Sequence, residues 1–149
     1  MSADLHLTNR FGAIVSVITL ALCILIFVFR LRGMAVTERW LGWAFITTAL
    51  PYAYLLVRAG AHQRPAIFYV QLGAILFFIL IELCLDYIFK IEFRNIKWMT
   101  ILYVTFFFAG TGGLIGIASL AGKQWGAAAI VLFLLMTFLA FWQRAKTGM

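Results

Sequence analysis

Two carboxylates set in an otherwise apolar stretch, Glu82 and Asp86 in Ile81-Glu82-Leu83-Cys84-Leu85-Asp86-Tyr87, are the residues of this chain best placed to do chemistry. In an α-helix a spacing of four puts them about 40° apart in azimuth and about 6 Å apart along the axis. They would share one face, and Gln71, eleven residues before Glu82, returns to nearly the same azimuth. Such a polar stripe can bind a proton, a cation or another ligand.

Depth separates the two acids. Asp86 falls within a turn of Lys90, with which it can pair at i,i+4, and within reach of headgroup water. Glu82 falls about 10 Å inside the end of its apolar stretch. A charged acid near the centre of a bilayer costs on the order of 2.5–3.5 kcal/mol by insertion scales. Glu82 is therefore expected to face protein or trapped water, either paired or protonated, since desolvation and the like charge of Asp86 both oppose ionisation. The cations that topology places nearest are Arg30, Arg32 and Arg39.

Other chemistries lack their residues. His6 and His62 fall outside the apolar segments, and Cys23 and Cys84 lie inside them without metal or redox spacing. The chain carries no G-x-S-x-G, no H-E-x-x-H and no phosphate-binding loop, and no Ser or Cys shares its segment with a His. No catalytic residue, metal or cofactor is expected, and an acid–base enzyme built on Glu82 and Asp86 alone is not indicated. The net charge of +7 is spread over short connections rather than gathered into a basic stripe. It speaks for topology and anionic headgroups, not nucleic acid.

The elements that must position these residues follow from composition. With 65% hydrophobic and 11% charged residues and a mean hydropathy of +1.04, the chain is far from an ordinary soluble domain, which has about 45–50% apolar and about 25% charged residues. A hydrocarbon core about 30 Å thick takes about 20 apolar residues in a helix. Five stretches qualify: 11–29, 40–57, 66–89, 98–122 and 124–142. The expected fold is an all-α, polytopic bundle of five transmembrane helices in a single domain, 1–149. The first stretch lacks the leader and cleavage pattern of a signal peptide and is expected to stay in the protein.

Basic residues set the expected orientation. Arg10, Arg58, Arg64 and Lys123 fall on one side; Arg30, Arg32, Arg39, Lys90, Arg94, Lys97, Arg144 and Lys146 fall on the other. The positive-inside rule then puts the N-terminus outside and the C-terminus in the cytoplasm, and the expected location is the cytoplasmic membrane of a prokaryote. Trp40, Trp43, Trp98 and Trp142 fall at the cytoplasmic ends, where indole rings sit well.

Packing signals cluster in the later spans. Gly112 and Gly116 form a G-x-x-x-G that Ser119 extends, and small side chains let helix backbones approach closely in lipid. That face is expected to pack within the chain or against a second copy, with Leu114 on another azimuth. Pro51 in Thr47-Thr48-Ala49-Leu50-Pro51 cannot donate to the Thr47 carbonyl, which predicts a kink that Thr47 or Thr48 can relieve.

Three functions fit these residues. The first is a non-enzymatic accessory or assembly component that binds partner membrane proteins. The second is a small proton- or cation-linked transporter or channel using Glu82. The third is a lipid-binding or lipid-active protein. A dry Glu82 bonded to an Arg favours the first and a polar cavity reaching Glu82 the second. An apolar groove with Arg30 or Arg39 at its mouth favours lipid.

Overall fold

In lipid there is no water to drive apolar faces together, so a membrane bundle buries its small and polar residues and turns its large apolar ones outward. The first helix shows this inversion. In the computed structural model, which describes residues 3–147, helix α1 spans Ala3–Leu31 and buries Asn9, Gly12, Ala13, Ser16, Thr19, Leu20 and Cys23 at helical spacing. Leu7, Ile14, Ile18 and Leu25 face outward. Its buried hydroxyls donate to the preceding turn, Ser16 to the Gly12 carbonyl and Thr19 to that of Val15, both at 2.8 Å.

Helices α2 (Ala35–Thr47) and α3 (Ala49–Ala61) follow, then α4 (Ala66–Glu82), α5 (Lys97–Ser119) and α6 (Lys123–Thr147). The described residues are helices and short turns, with no strand. Taking α2 with α3, and α4 with the turn that continues it to Ile88, five helices are long and apolar enough to cross a membrane. Four run past the apolar stretches at one or both ends, because backbone hydrogen bonds continue into the headgroup region. The fourth, α5, stops at Ser119 rather than 122, where the chain reverses through Leu120–Gly122 and Gly122 adopts φ +140°.

The second span breaks where proline requires it. Pro51 has no N–H for the Thr47 carbonyl, and the helix is interrupted at Thr48. The threonine hydroxyls reach one turn further back than the freed carbonyl: Thr47 donates to Ala44 (2.7 Å) and Thr48 to Phe45 (2.6 Å). Below the break, Tyr52 is fully buried and donates to Thr19 Oγ1 at 2.7 Å, tying α3 to α1.

Helix α1 packs against α2, α3, α5 and α6, and the largest interface joins α4 to α5. Gly110 meets α4 most closely. A Cβ there would lie 3.2 Å from the Ala74 carbonyl oxygen and from Ile75 Cα. Gly113 and Gly116 continue that contact against Gln71. The expected G-x-x-x-G face is therefore divided, because α5 lies between two neighbours. Gly112 looks toward Phe133 of α6, Gly116 toward α4, and Ser119 against Gly126 of α6. Leu114 is buried completely, contrary to the expectation that it lies away from the contact.

Polar contacts identify the two ends of the bundle. At one end Arg58 donates to both oxygens of Asp4 (2.6 Å each), Arg64 donates to Asn9 Oδ1, and Asn9 Nδ2 donates to the Leu120 carbonyl (3.2 Å). At the other lie the 30–39 and 89–97 connections and the end of α6, with most of the basic residues.

Candidate functional site

The acidic span ends irregularly at the basic end. After Glu82 the helix widens into a π-helical turn, Leu83–Ile88, in which the Phe89 N–H bonds the Cys84 carbonyl five residues back at 2.8 Å. Lys90 then takes a left-handed conformation, φ +50°, and reverses the chain. A short 3₁₀ turn, Phe93–Asn95, follows. Phe93 is fully buried, its ring 4.8 Å from that of Tyr103 on α5.

This path separates the two carboxylates by partner. Asp86 pairs with Arg94 Nη2 at 2.8 Å and not with Lys90, because the wider turn and the reversal remove the i,i+4 relation that a regular helix would have supplied. Glu82 accepts a hydrogen bond from the Tyr103 hydroxyl. It bonds no arginine. Arg30 pairs instead with Glu38 at 2.5 Å, and Gln71 lies far from both acids in sequence, packed under Gly113 and Gly116. Arg32, Arg39 and Lys90 form no ion pair among the described residues; the Arg39 carbonyl accepts from Tyr87 at 3.5 Å.

Around Glu82 the helices leave a cavity of about 140 Å³. Its walls are largely aromatic: Phe27 of α1, Phe45 of α2, Phe78 of α4, and Phe107, Phe108 and Phe141 of α5 and α6. Three guanidinium groups reach it from three elements, Arg30 from α1, Arg94 from the reversed loop and Arg144 from the end of α6. Arg144 is exposed and has no carboxylate partner among the described residues. Thr100, Tyr103 and Gln143 supply neutral polar groups.

The cavity thus joins an apolar interior to a cationic rim. With Glu38, Glu82 and Asp86 all ionised the three arginines are balanced; with Glu82 protonated one positive charge is left over, and it belongs to the residue at the surface. Ion pairs as exposed as Arg30–Glu38 and Arg94–Asp86, with a fifth to a third of each side chain accessible, are weak. Their arginines can turn to an incoming anion at small cost.

Sequence reasoning reached Glu82, Asp86 and Arg30 but not Tyr103, Arg94, Gln143 or Arg144. The usable signal was the side of the membrane: Arg94 and Arg144 fall on the same expected side as Arg30. The chain matches no protein-family model, no curated protein and no solved structure.

Proposed function

We propose that this protein is a non-enzymatic component of the cytoplasmic membrane that binds an anionic membrane lipid in the cavity beside Glu82, with its basic end and C-terminus in the cytoplasm. One observation carries the reading: Arg30, Arg94 and Arg144 converge on a cavity otherwise walled by aromatic rings. Guanidinium forks suit phosphate, and rings suit the glycerol-proximal apolar part of an amphiphile. Phe141, one of the wall residues, is 61% exposed on the outside of the bundle, so a single ring stands between the cavity and surrounding acyl chains.

Arg144→Gln is the discriminating variant, because the residue has no carboxylate partner and its removal strands no charge. The purified protein in detergent, examined by native mass spectrometry, should retain an anionic phospholipid in preference to phosphatidylcholine. The variant should lose about tenfold or more of that preference, the worth of one charge-assisted hydrogen bond. Equal retention of anionic and zwitterionic lipid by the native protein would sink the proposal.

The orientation is tested separately. With both native cysteines replaced, a cysteine at position 62 should react with an impermeant maleimide added to intact cells, and one at position 94 only after the inner face is opened. Reaction of position 94 from outside contradicts the assignment.

A further inference from the structure

Resting on that reading, we infer that the bound headgroup carries hydroxyl donors beside its phosphate, as a phosphoglycerol head does. Gln143 carries the inference. It lines the cavity, is only 7% exposed, and its Oε1 is buried with no hydrogen-bond partner among the described residues. A buried acceptor left without a donor is costly, and a ligand that brings one recovers that cost. Glu82 adds acceptor capacity on the same cavity, since Tyr103 is the one side-chain donor bonded to it among the described residues.

The polar groups of the cavity therefore fall into two kinds. Arg30, Arg94 and Arg144 are cationic donors that want an anion; Gln143 Oε1 and the Glu82 carboxylate are acceptors that want a donor. A bare phosphate satisfies the first kind and meets the second with lone pairs. A choline head offers methyl groups to the acceptors, leaving Oε1 unsatisfied. An ammonium head would donate, but it would do so beside three guanidinium groups of like charge. A hydroxyl supplies the donor without the charge.

The test compares lipids of equal charge and equal acyl chains on the full-length protein in detergent. Phosphatidylglycerol and phosphatidylmethanol each carry one anionic phosphodiester, and only the first has hydroxyls. Phosphatidylglycerol should bind about tenfold more tightly. Gln143→Leu should lower it to the level of phosphatidylmethanol and leave phosphatidylmethanol unchanged, whereas Arg144→Gln should weaken both. Equal affinity of the native protein for the two lipids, a comparison that needs no variant, overturns the inference while leaving the anionic-lipid reading standing. So does an equal loss for both lipids on Gln143→Leu, which would make the residue a packing element. If neither lipid binds better than phosphatidylcholine, the underlying reading fails as well. Competition by free glycerol 3-phosphate at similar concentration would support the hydroxyl-bearing phosphate chemistry and overturn a lipid as its source.

Discussion

Replacing Gly110 by Leu should unseat α4 from α5 and leave the protein aggregating or melting far below the native chain in mild detergent. The reason is the kind of atom that the new side chain meets. At Gly110 a Cβ alone would stand 3.2 Å from a backbone oxygen and a backbone Cα, and 3.3 Å from Phe78 Cβ, none of which can swing aside. Whole helices must separate to admit three further carbons. Overpacking typically costs about 1–3 kcal/mol, and this site belongs at or above the upper end of that range. Gly73→Leu on α4 is the matched control, because a Cβ there meets nothing within 4 Å. Thermal melting of the two variants in one detergent checks the contrast. Equal melting points would mean that the α4–α5 contact is not close.

Phe93→Ala is the second large effect. Phe93 sits in the reversed segment between the π-helical turn and α5, fully buried, with its ring against Tyr103 and its edge on the cavity. It is the apolar anchor that holds this segment against the bundle. Emptying a buried Phe site costs about 3–5 kcal/mol in protein cores. Near the membrane surface the water-transfer part of that cost still applies, as it does not in mid-bilayer. Hydrogen exchange should rise sharply over residues 89–96 in the variant, and lipid retention should fall with it, since Arg94 is carried by the same segment. Unchanged exchange over 89–96 would show that the Asp86–Arg94 ion pair suffices to hold the loop.

The parts of this architecture that were legible in the sequence are those decided by one helix at a time. Five spans follow from apolar length, and the break at Thr48 from the missing N–H of Pro51. What was not legible depends on how helices are rotated against one another. Gly112 and Gly116 mark a tight crossing, but which neighbour each meets is set by the placement of α4 and α6 around α5. The contact at Gly110 lies outside the motif. Glu82 stood out as a buried acid, yet its donor comes from Tyr103, twenty-one residues on and from another helix. Asp86 and Lys90 had the spacing of a helical ion pair, and a change of backbone winding between them gave Asp86 to Arg94. Gln143 and Arg144 looked like an ordinary polar helix end, because nothing local says that α6 finishes beside α1.

The widened turn at Leu83–Ile88 also bears on which sequence lengths this fold can accept. Hydrogen bonds five residues apart accommodate one residue more than a regular turn holds. Removing any single residue between 83 and 88 would let the helix close up in ordinary winding, and everything after it would rotate by about 100° and retreat by about 1.5 Å. Phe93 would leave its socket and Arg94 would swing away from Asp86. The connection at residues 32–34 joins helices without anchoring a buried ring and can absorb such a change. Register is thus fixed on one side of the basic end and free on the other, so insertions and deletions should accumulate unequally across two loops that hydropathy alone cannot tell apart.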